Sequence, residues 1–227
     1  MVATVVVESP DSTVAEQLQQ LAIVDSVKWI WKGNLRVPAE EKGEDRFVPE
    51  DEPLCNEYGY AHKQIKMLNG TKLHEAGFQG EGMRVAVIDA GFMNADRISA
   101  FDSLRLLGTH NVVFPGKSVF VGDDHGTKVL SCLAADIPGV MVGTAPKASY
   151  LLLKSEDSDS EYPVEEDYWT AAVEYADSAG VDVISSSLGY FAFDADELSY
   201  EQAALDGKTA MISQAAHLAA DKGILVF

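Results

Sequence analysis

Basic residues are scarce in this chain. Seventeen lysines and arginines stand against 36 aspartates and glutamates in 227 residues, a formal charge of −19. A nucleic-acid partner needs a basic stripe, so that class of function is excluded. Cysteine is almost lacking. Cys55 and Cys132 are too few for a disulfide framework, and Cys132 sits in a helical apolar pattern, so two free thiols are expected. No apolar run approaches the length of a membrane span. Residues 1–7 are apolar but have no basic leader and turn acidic at Glu8, so they are not expected to be a signal peptide. What remains is a chain of ordinary hydrophobic content, 47%, which is ample for a core. Its length suits one domain, or one domain with a small attachment.

Taken in order, residues 2–8 (V-A-T-V-V-V-E) read as a strand. Asp11 or Ser12 can cap a helix over residues 14–23, with Leu18, Leu21 and Ala22 on one face, and residues 27–31 read as a second strand. This strand–helix–strand unit, residues 1–37, is too small to bury a core and is expected to dock elsewhere. Residues 38–57 are acidic and proline-bearing, the composition of an exposed linker.

From residue 58 onward the pattern is regular. A helical stretch around residues 64–76 leads to Val85, Ala86, Val87 and Ile88, an unbroken apolar run flanked by Gly82 and Gly91. That run is too short for a buried helix and predicts a strand covered on both faces. Short strands are expected at residues 111–114 and 118–121, a helix at 125–135 and an apolar strand at 150–153. A helix at 164–179 ends on Gly180 and is followed by a strand at 181–185; a helix at 210–222 ends on Gly223, followed by a strand at 224–227. Strands alternating with helices of this size specify an α/β fold, a doubly wound and mostly parallel sheet.

In such sheets ligands and chemistry sit at the carboxyl ends of strands. Asp89 ends the 85–88 strand, although aspartate is also a common turn former and this stretch alone does not separate the two readings. Of five histidines, His62, His74, His110 and His217 have no partner motif and are expected in surface or packing roles. His125 differs, since it opens a predicted helix after Asp123 and Asp124. It is followed by Gly126, which leaves room for another chain to approach the backbone. A helix N-terminus disfavours the imidazolium and so helps keep the ring available as a base. The carboxylate can accept the Nδ1 proton, leaving Nε2 to take a proton from a nucleophile. A phosphate- or nucleotide-binding reading is poor, because Asp89-Ala90-Gly91-Phe92 supplies neither G-x-G-x-x-G nor a P-loop lysine.

Four segments carry a resemblance. V-A-V-I-D-A-G (85–91), H-G-T-K-V-L (125–130), V-G-T-A-P-K-A (142–148) and V-D-V-I-S-S-S-L-G (181–189) occur in the order and spacing of subtilisin-like serine proteases. The first two resemble that family's Asp and His motifs, the third its G-V-A-P-x-A segment, the fourth its strand ending in S-L-G. Together they are far more specific than any one alone. The departures are Ala90 for a usual Thr or Ser, Lys128 for a frequent second His, and Leu130-Ser131 for Ala-Gly; they bear on the surroundings of the catalytic pair rather than on the pair itself.

The resemblance implies serine-type endopeptidase chemistry through an acyl-enzyme. Asp89 would orient, His125 would act as general base and then general acid, and Ser187, Leu188 and Gly189 would bind a protein or peptide substrate along one wall of the cleft. The family's nucleophile, in a G-T-S-like motif after S-L-G, does not occur in this chain, nor does its oxyanion asparagine, since no Asn follows Asn111. Residues 58–227 therefore read as the N-terminal part of a subtilisin-like catalytic domain, incomplete and expected to be inactive and poorly soluble alone. A non-catalytic relative, a pseudoprotease or peptide-binding module, is the alternative; an intact Asp–His pair argues against it.

Residues 2–31 are similar, through element order and an L-x-x-L-x-x-V-D-S-V run, to the second half of inhibitory pro-domains, which implies a partner in cis; a decorating extension is the equal alternative. The parent would be secreted or in the cell envelope. No cofactor is expected. Family members often bind calcium, but D-S-D-S-E (157–161) lacks a turn glycine in the right place, and a solvated loop is expected there.

Overall fold

The computed structural model describes residues 5–30 and 56–227. In the N-terminal segment a helix forms, α1 (Val14–Gln19), shorter than expected and with no buried residue. Asp11 holds the preceding turn, its Oδ1 accepting from the Thr13 N–H at 2.9 Å and the Thr13 hydroxyl at 2.8 Å. The flanking strands do not form over residues 5–8 and 27–30; the rest of both predicted strands lies outside the described residues. Val5, Val6 and Val7 are exposed, with no ladder partner among the described residues. Ile30 does meet the main domain, its carbonyl accepting from the Val164 N–H at 3.1 Å. The expected linker lies outside the described residues apart from 56 and 57.

The helix expected over 64–76 is two, α2 (His62–Met67) and α3 (Gly70–Glu75). Asn69 between them takes a left-handed conformation (φ 58°), which breaks the run. The elements then continue as β1 (Arg84–Asp89), β2 (Arg105–Asn111), α4 (His125–Ala134), β3 (Asp136–Ile137), β4 (Met141–Val142), β5 (Ser149–Lys154), α5 (Val164–Ser178), β6 (Val183–Ser186), α6 (Met211–Asp221) and β7 (Leu225–Val226).

Five strands make one sheet in the order β2-β5-β1-β6-β7, every pair parallel, while β3 and β4 form a small antiparallel pair. The strand expected at 111–114 lies instead at 105–111. It is masked in the sequence because it sits at the edge, exposes Leu106 and Leu107, and carries an irregularity at Gly108. Asn111 ends it by accepting the Phe114 N–H at 2.8 Å, and Ser118 similarly turns the chain by accepting the Phe120 N–H at 3.1 Å, so 118–121 is no strand.

The central strands are covered on both faces, as their apolar runs require. Ala86, Ile88, Leu151, Leu153 and Ile184 pack with Trp169, Ala172, Val173 and Ala176 of α5 and Ala215 and Ala219 of α6. The alternate residues Val85, Val87, Tyr150 and Leu152 pack on the other face with Leu130 and Ala134 of α4 and with Phe92, Phe101 and Val119. Each fully buried aliphatic side chain here contributes about 1.5–3 kcal/mol, enough to hold the register that brings the carboxyl ends of β1, β5 and β6 together. Trp169 adds a polar tie, its Nε1–H donating to Ser186 Oγ at 2.8 Å. At the β7 edge of the sheet Leu225 and Phe227 are exposed. Cys132 is a free thiol at the surface.

Candidate active site

Asp89 is the last residue of β1 and is wholly buried. His125 is the first residue of α4. They meet because α4 begins almost against the end of β1, and Gly126 permits this. A Cβ at residue 126 would lie 2.5 Å from the Gly91 carbonyl oxygen and 2.9 Å from Asp89 Cβ. Gly91 reciprocates, since a Cβ there would be 2.8 Å from the Asp123 carbonyl oxygen. Thr127 pins the helix from below, donating to the Met93 carbonyl at 2.9 Å, and Asp123 Oδ1 accepts the His125 N–H at 2.7 Å.

His125 Nδ1 is 2.7 Å from Asp89 Oδ1. The same oxygen accepts the Ala90 N–H at 2.7 Å. A buried carboxylate can only accept, so the ring proton sits on Nδ1 and Nε2 is left with its lone pair. The imidazole is half exposed and lines the adjoining cavity. Its pKa is raised, first by the bond to Asp89 and then by the charges of Asp89 and Asp123, against burial and Lys128. The direction is opposite to the one expected from the helix terminus. Asp89 is itself pushed up by burial, opposed by its bonds from His125 and Ala90. Its second oxygen, Oδ2, is buried without a hydrogen-bond partner among the described residues.

Lys154 was not anticipated. It ends β5 in register with Asp89, is buried, and donates from Nζ to the Ala90 carbonyl. Burial holds its pKa below the ordinary range, opposed by Asp123, Asp157, Glu156 and Asp89. The signal was available: like Asp89, it is a charge closing an apolar run, Y-L-L-L-K. His74, by contrast, has the packing role expected of it, bonded through Nδ1 to the Tyr58 hydroxyl at 3.1 Å and through Nε2 to the Thr144 carbonyl at 2.9 Å.

A cavity of about 540 Å³ opens beside His125. Ser187, Leu188 and Gly189 line it directly after β6, so four of the five candidate residues meet at one depression, and Asp89 is buried behind it, bonded to His125. Residues 156–161 and Asp194 also line it and make part of its wall acidic. Here the expected solvated loop is a mixture: Ser158 and Asp159 are exposed, but Glu156 and Asp157 are buried. Glu156, Glu161 and Glu165 converge, with one carboxylate oxygen from each lying within 4.8 Å of the others. Burial and mutual repulsion push Glu165 up to about 9 and Glu156 up to about 7, and burial with the charge of Asp194 raises Glu161.

The subtilase family profile matches residues 80–227. Subtilisin E of Bacillus subtilis (strain 168) is 32% identical over 150 residues, covering 63% of this chain and 36% of that relative. The thermostable alkaline protease of Halalkalibacterium halodurans is 28% identical over 126 residues, covering 55% of this chain and 33% of its own length. The chain thus spans about a third of these curated relatives. Among solved structures, MycP1 with its N-terminal propeptide removed superposes with a TM-score of 0.52 at 19% identity, over 78% of this chain and 48% of that one, which is a likeness of fold. The profile covers both the strand that ends in Asp89 and the helix that begins at His125, and on that match the chain belongs to the subtilase family.

Proposed function

We propose that the chain carries the orienting acid and the general base of a serine-type endopeptidase. The observation behind this reading is the 2.7 Å bond from His125 Nδ1 to a buried carboxylate, with no partner on Nε2 among the described residues. A serine hydroxyl placed at Nε2 would give its proton to the ring as its oxygen attacks the peptide carbonyl carbon. Asp89 would stabilise the imidazolium that forms. The same proton then goes to the leaving amine, giving an acyl-enzyme that water hydrolyses by the same path in reverse. Ser187, Leu188 and Gly189 follow β6 directly and line the cavity, a place suited to pairing with an extended peptide.

The nucleophile is not in any of the chain's matched motifs, and the chain alone is proposed to be inactive. A cis-acting pro-segment is part of the reading; its support is the docking of Ile30 on the start of α5. Action outside the cytoplasm is likewise inferred from the family resemblance.

The test is fluorophosphonate labelling together with peptide hydrolysis. The 227-residue chain alone should show neither. A gene product that continues through a G-T-S-like motif should show both, and His125→Ala should lower turnover at least ~10³-fold. Hydrolysis indifferent to His125→Ala would overturn the proposal. Labelling of the chain alone that is lost in His125→Ala would place the nucleophile within it.

A further inference from the structure

We propose that Glu156, Glu161 and Glu165 form a binding site for a hard divalent cation, calcium by the chemistry of its ligands, beside the cavity that His125 also lines. Three oxygens within 4.8 Å of one another match a cation that holds each at ~2.3–2.6 Å. The donor set is all carboxylate, which suits calcium rather than zinc, whose sites favour nitrogen and sulfur. Magnesium demands a near-ideal octahedron, whereas calcium accepts irregular oxygen shells.

A second observation is independent of the clustering. Glu165 is 1% exposed, and its Oε2 has no hydrogen-bond partner among the described residues. Its other oxygen accepts the Asp157 N–H at 3.1 Å, which fixes the carboxylate in place. Glu156 is tied similarly through Oε1, which accepts from the Tyr190 hydroxyl. Neither tie brings a positive charge. Among the described residues none of the three glutamates has an ion-pair partner. Lys154 is the nearby cation, and its Nζ is committed to the Ala90 carbonyl.

Three acids of which two are buried, held by neutral donors and aimed at a common point, are a costly arrangement without a cation. The remaining coordination positions are open to water through the adjoining cavity. The ion would join the loop 156–161 to the first turn of α5, fixing part of the wall of the depression that Ser187 to Gly189 and His125 also line. The site does not use the D-S-D-S-E run as a linear motif; two of its three ligands flank that run, and one closes it.

The experiment is titration of the metal-free protein with calcium alone, read by calorimetry and by thermal unfolding, with terbium luminescence as a spectroscopic check. One ion per chain and an upward shift in Tm are expected. Glu165→Gln should abolish both. Because a change at a buried position can disturb folding, Glu161→Gln, at the partly exposed rim, is the second variant, and it should weaken calcium on the order of 10-fold, since affinity follows ligand charge. No calcium-dependent Tm shift in the parent, or a shift unchanged in both variants, would overturn the site. Glu165-dependent binding of an arginine-containing peptide in place of calcium would also overturn it. These readouts involve no turnover, so they fail or succeed apart from the peptidase reading.

Discussion

Asp89 and Glu165 are both buried carboxylates beside the same cavity, and each has one oxygen without a hydrogen-bond partner. Their surroundings diverge from there. Asp89 faces an imidazole that can become a cation, and the bond between them raises the histidine. Glu165 faces two more acids and is itself raised, to about 9. Burial alone therefore does not say what a carboxylate is for. The partner decides: an ionisable base makes an orienting group, and further acids make a vacancy for positive charge.

The strongest way to break the comparison is to remove the charge from its satisfied side. In a form of the protein that hydrolyses peptides, Asp89→Asn should lower kcat on the order of 10⁴-fold, because the amide favours the wrong ring tautomer. The same change should lower the His125 pKa, seen as a shift of its titration in NMR. The sign follows from the pair. A raised histidine stabilises the fold while protonated, fully below its unfolded value near ~6.5, and this contribution is lost as pH rises through the folded value. Asp89→Asn should flatten that part of the stability profile. A profile unchanged by the substitution would mean that the bond carries no charge coupling.

Gly126→Ala tests the backbone approach that makes the pair possible. Alanine is the better helix former by ~1 kcal/mol, but its methyl would meet the Gly91 carbonyl at 2.5 Å. A net loss of about 1–3 kcal/mol is expected, with His125 drawn away from Asp89 and the glutamate cluster untouched. Denaturant unfolding and the His125 titration check both parts; a stabilised variant would show that α4 has room to move. The smallest effect is expected at Trp169→Phe, which removes the bond to Ser186 and some buried area. A cost of about 1–2 kcal/mol in unfolding is expected, with the His125 titration unchanged; a shifted titration would show that the Trp169–Ser186 bond also holds the catalytic pair.

Much of this was legible beforehand. The run V-A-V-I closed by Asp89, the glycine after His125 and the two helix–Gly–strand repeats are local signals of short period, and each corresponds to an element close to its expected place. The misses share a cause. The edge strand at 105–111 has no apolar run because one side of it faces solvent. The N-terminal strands had the right composition, but over the described residues nothing pairs with them. Lys154, Glu156 and Glu165 drew no functional reading, and Glu161 was weighed for calcium only within the 157–161 run and set aside, because a charged residue in sequence is most often solvated.

What the sequence by itself determined is therefore the alternation of strands and helices, the doubly wound fold and the Asp–His pair, because apolar periodicity and short motifs act through neighbours in the chain. What only the tertiary structure decided is the company each charge keeps. Glu156, Glu161 and Glu165 converge, and Lys154 turns to Ala90 rather than to them, because a loop folds back on the first turn of α5 and because β5 stands beside β1. Electrostatic interaction depends on distance through space and on the water displaced there, and neither is written along the chain.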